Sequence, residues 1–313
     1  MSSNILDTTT EKQSVGALAL GSFDGVHRGH IELLKKACSI AKNTGTKAAT
    51  LSFSPNPKDF FSKPEKPFKQ IYSLEQNLKE IKSAGIDVTF IKNFDEECSQ
   101  MSAFEFLDFV FSKVDFKNLV VGFDFKLGKD RSGGQKNLQD WCAKNKIQLY
   151  VVSAELENNK KISSTLIKSH LLKGEIEKAV ALLGRGHSYH GKVRSDQGLG
   201  KKIGFPTLNI PLNLNTAISH GVYVSILRSG EKTYFGLSNV GVRPTVFESA
   251  SNLVLETHIL SSENVKIVSG DTIAVELKNF LRAEQKFANI DELKAQIALD
   301  IVTAQSLEAL YKS

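Results

Sequence analysis

The chain has 313 residues, a length that suggests about two domains. Its 41% hydrophobic and 24% charged content are those of an ordinary globular protein, which argues against a disordered or fibrous chain. The net charge of +6 invites a nucleic-acid partner, but residues 1–183 carry +4 and residues 184–313 carry +2, with no basic tail, so a small polyphosphate substrate explains the excess as well.

Residues 1–14 are polar, with neither a basic nor an apolar leader region, and are expected to form a tail. No apolar run approaches the ~20 residues needed to cross a bilayer, so no membrane partner is expected. Cys38, Cys98 and Cys142 are scattered and lack C-x-x-C spacing, which points to free thiols in the cytoplasm.

An apolar run at 15–20 reads as a strand, and G-S-F-D-G-V-H-R-G-H at 21–30 follows it. Ile31, Leu33, Leu34, Ala37, Cys38 and Ala41 then repeat with helical spacing, and Gly45 is a natural C′ stop. Strand, glycine turn and helix start together offer backbone N–H groups and a positive dipole end to a phosphate. The bland alternative is an ordinary turn with two surface histidines. Strands are expected at 47–53, 87–91, 118–121 and 147–152, and helices at 73–84, 102–114 and 136–145. Phe104, Phe106, Leu107, Phe109, Val110 and Phe111 of the second helix read as core. This alternation predicts a doubly wound α/β sheet over residues 15–183, with ligands beyond the carboxyl ends of its strands.

Helical patterns at 163–172 and 175–183 close that half, with Ser163, Ser164 and Thr165 as candidate caps. Then the period changes. Short strands at 189–193, 205–210, 221–228, 233–240, 253–260 and 271–280 predict a six-stranded antiparallel barrel over residues 184–313. A helix from Ile290 to Tyr311 ends the chain, with Asn289 and Glu292 fitting a capping box.

Two further segments could serve a phosphate site at residues 21–30. G-F-D-F-K-L-G at 122–128 follows a strand of the same sheet, and I-S-S-T-L-I-K at 162–168 opens a helix. Histidines and a helix start suit direct nucleotidyl transfer, with pyrophosphate leaving. There is no P-loop: 198–204 lacks the Ser or Thr and the first glycine of that motif. In the second half, Thr207 and Asn209 of G-F-P-T-L-N are two apart, so on one strand both face the same way and could hold Mg²⁺ with phosphate oxygens. Glu256, in an apolar strand, could act as general base toward a hydroxyl attacking a γ-phosphate. Turn, cap and exposed-strand roles for these three remain open on spacing alone.

Residues 21–30, 122–128 and 162–168 resemble the nucleotidyltransferase motifs of bacterial bifunctional riboflavin kinase/FAD synthetases. Residues 200–209, 239–245, 256–258 and 281–287 resemble that family's riboflavin kinase motifs, in family order. The resemblance implies that riboflavin and ATP give FMN, and that FMN and a second ATP give FAD. It implies ATP contacts for adenylyl transfer at Gly21, Phe23, Asp24, His27, His30, Gly122, Asp124, Ser164, Thr165 and Lys168, with His27 and His30 catalytic. For the kinase it implies ATP at Gly204, Pro206, Thr207 and Asn209, Mg²⁺ at Thr207 and Asn209, and Glu256 as the base. Asn56, Arg282 and Glu284 are the implied flavin contacts, His258 is structural, and no nucleic-acid partner is expected. The chain departs from the family pattern at Asn56, Leu166 and Lys168, where histidine and two arginines are usual, and at 186–187 and 268–270. The alternatives are a kinase with a degenerate adenylyltransferase half, or a flavin-binding regulator.

Overall fold

The computed structural model describes residues 3–8, 11–194, 203–244, 251–261 and 265–311. Residues 198–202 of the P-loop-like stretch and Thr245 of the 239–245 motif lie outside them. The chain separates into two compact units, Met1–Ser164 and Thr165–Ser313.

The first unit runs β1 (Ser3–Ile5), β2 (Gln13–Ser14), β3 (Ala17–Leu20), α1 (Arg28–Asn43), β4 (Ala48–Ser54), α2 (Pro57–Phe60), α3 (Leu74–Ser83), β5 (Val88–Asn93), α4 (Glu96–Gln100), α5 (Ala103–Lys113), β6 (Val114–Asp115), β7 (Asn118–Gly122), α6 (Gln135–Lys144), β8 (Gln148–Val152), β9 (Leu156–Glu157) and β10 (Lys160–Lys161). Its main sheet is parallel throughout, in the order β1-β5-β4-β3-β7-β8. After β3 the chain winds to β4 and β5, then returns past β3 to β7 and β8. The switch of direction therefore falls between β3 and β7, where a crevice opens beyond the strand ends. Successive β3 side chains enter opposite cores: Leu18 and Leu20 join α5 and α6, while Ala17 and Ala19 join α1.

The segment read as a tail contributes the edge strand β1, and Leu6 is fully buried. Asp7 follows it and accepts a hydrogen bond from the buried Lys92 ammonium at 2.5 Å. Phe104 departs from its expected place in the core. The buried side of α5 runs through Ala103, Phe106, Leu107 and Val110, and Phe104 sits about 100° around the helix from Ala103, 40% exposed.

The second unit opens with α7 (Ser164–Leu171), whose first residue belongs to the first unit, and α8 (Ile176–Leu183). Six strands follow: β11 (His187–Lys192), β12 (Leu208–Leu212), β13 (Gly221–Ser229), β14 (Lys232–Pro244), β15 (Ser251–Ile259) and β16 (Thr272–Ala283). They form one antiparallel sheet, β11-β16-β13-β14-β15-β12, and a bridge between Arg194 and Asn209 brings its edges together as a nearly closed barrel. The final helix, α9 (Ile290–Leu307), lays Ile301, Ala304 and Leu307 on Val222, Val224, Ile226, Phe235 and Leu237 of the barrel wall. Its start is half a capping box. Asn289 accepts the Glu292 N–H, but the Glu292 carboxylate reaches back to the Ala288 N–H.

Candidate active sites

The turn at 21–30 is built from strained backbone. Phe23 and Val26 have φ of 44° and 41°, a conformation that costs about 1–2 kcal/mol per residue and is worst for a β-branched side chain. Gly25 has φ 80°, and a Cβ there would come within 2.6 Å of Ile71. Neighbouring elements hold the turn from several sides. Asp24 accepts the Ile71 N–H, the Gly25 N–H donates to Asn77, and the Ser164 hydroxyl donates to the Asp24 carbonyl at 2.8 Å. Strain kept in place at the crevice between β3 and β7 makes this turn a candidate functional element.

His27 caps α1, its Nδ1 accepting the backbone N–H of His30. A lone pair at Nδ1 leaves the proton of the neutral ring on Nε2. The His27 and His30 rings stack at 3.7 Å, and the Phe23 ring lies tilted against His30 with centroids 5.3 Å apart. The turn thus joins a helix N-terminus to two stacked imidazoles, a set of donors suited to phosphate oxygens.

Charged side chains tie the β9–β10 hairpin across this end of the unit. Asn158 and Asn159 turn it with φ of 48° and 60°, the conformation of a type I′ turn. Glu155 and Glu157 take the two arms of the Arg28 guanidinium at 2.8 and 2.6 Å. Lys161 pairs with Asp124 and lies over the Phe123 ring. Asp124 is therefore engaged by lysine rather than standing as a simple turn residue. Gly122 ends β7 beside it, while Thr165 and Lys168 lie on α7 within the second unit.

A separate cavity of about 610 Å³ lies in the first unit. Phe53, Phe61, Phe94, Phe106 and Phe125 form apolar walls, and Lys58, Lys126 and Arg131 supply cations. Asn56 is absent from its lining; its side chain caps α2 by accepting the Lys58 N–H. Phe106 is both core and cavity wall, a double role that helical spacing cannot reveal. Cys98 also lines the cavity, and burial pushes its thiol up to about 11.

In the second unit the strand register gathers the chemistry into one row. Asn209 on β12 stands opposite Glu256 on β15, Glu256 opposite Asn239 on β14, Asn239 opposite Val222 on β13, and Val222 opposite Arg282 on β16. Directly opposed residues share a face, so five strands send this row to the side covered by α9. A cavity of about 300 Å³ opens there, lined by Thr207, Asn239, Arg243, Glu256 and Glu284 among others. Glu256 pairs with the Nε of Arg243. Arg282 is spent on α9: Asp300 takes it at 2.7–3.0 Å in a nearly buried pair, and its guanidinium lies 5.9 Å from the Phe287 ring. His258 donates from Nδ1–H to the Pro206 carbonyl and packs edge-on against Phe205, which fastens the loop that carries Gly204, Pro206 and Thr207.

Sequence spacing missed Asn239, Arg243 and Arg28. Asn239 and Arg243 lay inside a motif already singled out, but their partners are set by register and were invisible.

A family model described as FAD synthetase matches residues 9–166, and one described as riboflavin kinase matches residues 183–308. A bifunctional riboflavin kinase/FMN adenylyltransferase of Escherichia coli K12 is 34% identical over 94% of this chain and 93% of its own. Relatives with the same name match from Buchnera aphidicola of Schizaphis graminum, 34% identical over 92% of both chains, and from Bacillus subtilis 168, 32% identical over 93% and 92%. The chain belongs to the bifunctional riboflavin kinase/FMN adenylyltransferase family. A Streptococcus pneumoniae structure described as a macrolide-efflux protein superposes with a TM-score of 0.80 at 25% identity, over 96% of this chain and 97% of that one. Efflux is not carried over with that family's fold; among the described residues no helix is long and apolar enough to cross a membrane.

Proposed function

We propose that this chain phosphorylates riboflavin with ATP to FMN in residues 184–313, then transfers an adenylyl group from a second ATP to FMN in residues 15–183. The observation that carries this reading is that both family models match in tandem and each matched segment holds a cavity beside its motif. In the barrel, Glu256 takes the proton of the riboflavin 5′-hydroxyl as that oxygen bonds to the γ-phosphorus and ADP leaves. Thr207 and Asn209 offer only oxygen ligands, a hydroxyl and an amide, and Asn209 is buried opposite the Glu256 carboxylate. Such hard donors fit Mg²⁺, which when bound would neutralise phosphate charge.

In the first unit, an FMN phosphate oxygen attacks the α-phosphorus of ATP, and pyrophosphate leaves. His27 donates from Nε2, and with His30 and the α1 N-terminus it stabilises the charge that develops. Gly21, Phe23, Asp24, Gly122, Asp124 and Ser164 shape or line the nucleotide site. The apolar cavity near Asn56 suits the isoalloxazine ring, with cations at its rim for the phosphate. In the barrel cavity, Arg282 and Glu284 border the flavin. The working compartment is the cytoplasm.

The test is incubation with riboflavin, ATP and Mg²⁺, followed by chromatography of the flavins. FMN followed by FAD is expected. FMN alone would reduce the chain to a kinase, and unchanged riboflavin held tightly would make it a flavin-binding regulator.

A further inference from the structure

The base proposed for the kinase is engaged by a cation. Glu256 pairs with Arg243, and both line the cavity that also takes in Thr207. An oxygen that accepts from a guanidinium is poorly placed to accept a hydroxyl proton at the same time, and in this pair that oxygen is Oε1. Arg243 is on β14, four residues beyond Asn239, so both leave the strand on the face that carries the Asn209–Glu256–Asn239 row. Phosphates bound at Thr207 and Asn209 would therefore lie next to the Arg243–Glu256 pair, because Asn209 is directly opposite Glu256. Polyphosphate beside a carboxylate is repulsive unless a cation stands between them. A planar guanidinium fork binds phosphate as readily as carboxylate.

The geometry points to Arg243 as a residue that exchanges partners, holding Glu256 before nucleotide binds and the terminal phosphate of ATP afterwards. This rests on the kinase reading above. The exchange releases the Oε1 oxygen of Glu256 when the phosphoryl donor is present, and it gives the γ-phosphoryl group in transfer a cation. Arg243 then contributes to both nucleotide binding and turnover. A residue that merely held Glu256 in position would affect turnover alone.

The test is a double-mutant cycle on the full chain, measuring binding of the β,γ-imido analogue of ATP with Mg²⁺ by calorimetry. Glu256→Gln removes the resting partner of Arg243 and should tighten analogue binding about tenfold, a coupling usual for contacting residues. In the Arg243→Ala background the same change should tighten binding clearly less. Equal tightening in both backgrounds would mean simple relief of repulsion and would overturn the exchange, as would no tightening at all. If Arg243→Ala proves unstable, Arg243→Lys keeps the charge and loses the fork, and the coupling should fall in the same direction. Arg243→Ala should also raise KM for ATP and lower kcat together, whereas a fall in kcat alone contradicts the exchange. Absence of FMN formation by the unaltered protein would instead bring down the kinase reading itself.

Discussion

The turn at 21–30 and the row across the barrel are both proposed for phosphate chemistry, yet they are made in opposite ways. The turn is contiguous: ten residues bring their own strand end, positive-φ backbone, helix start and two imidazoles. The barrel row draws Asn209, Glu256, Asn239 and Arg282 from four strands, and only the register brings them together. One site takes its residues from a single stretch of backbone, braced by Ile71, Asn77 and Ser164, and the other takes them from strands paired at long range. Changes to single side chains and to backbone freedom should therefore damage the two sites differently.

The sharpest division comes from reciprocal variants. Glu256→Ala should lower FMN formation by about 10³-fold while added FMN is still converted to FAD, as expected for loss of a general base. His30→Ala should do the reverse, lowering adenylyl transfer by roughly 10²–10³-fold. Both are read by flavin chromatography, and an equal slowing of both steps by either variant would erase the separation.

Next in size is the buried pair that ties α9 to the row. Asp300→Ala leaves the Arg282 charge with its partner removed, and should cost about 3 kcal/mol in chemical denaturation of the second unit. Backbone freedom is tested by Gly25→Ala. At φ 80° with Ile71 in the way, the new Cβ should cost about 1–3 kcal/mol locally and depress FAD formation, while FMN formation stays intact. An unchanged FAD rate would show that the turn tolerates reshaping.

The smallest effect is a pH dependence confined to the barrel. Complete burial drives His187 down to about 3 from its usual 6.5, the Arg185 charge adds to the fall, and Glu276 opposes it. The folded state refuses a proton that the unfolded chain accepts below 6.5. Stability is therefore fully present above that value and is lost as pH falls toward 3, by roughly 2 kcal/mol at about pH 5. His187→Leu should flatten the midpoint-against-pH curve over this window, with midpoints followed by circular dichroism.

Much of the fold was legible because its strands and helices follow simple periods. The β13 strand and its β14 partner overlap the strands expected at 221–228 and 233–240, and β3 to β8 alternate with amphipathic helices. What stayed hidden depends on distance in the sequence. β1 is three residues long, too short for a period, and is ordered by pairing with β5 and by the Asp7–Lys92 contact. The aromatic cavity was masked because Phe106 also satisfies a helical core pattern. The β9–β10 hairpin did carry a signal, Asn158 followed by Asn159, but its strands of two residues gave no alternation. At the sites, the motifs named the residues that could act, but not their present partners: Arg243 for Glu256, Asp300 for Arg282 and Lys161 for Asp124.

The row across five strands also sets which kinds of inherited change the barrel can absorb. A substitution in β15 alters one side chain and leaves its neighbours where they were. An insertion or deletion of a single residue within it rotates every later side chain to the opposite face, and Glu256 would leave the cavity although the residue itself is retained. Away from Glu256 itself, drift in spelling costs this strand one side chain at a time, whereas drift in length ahead of Glu256 costs it the whole row.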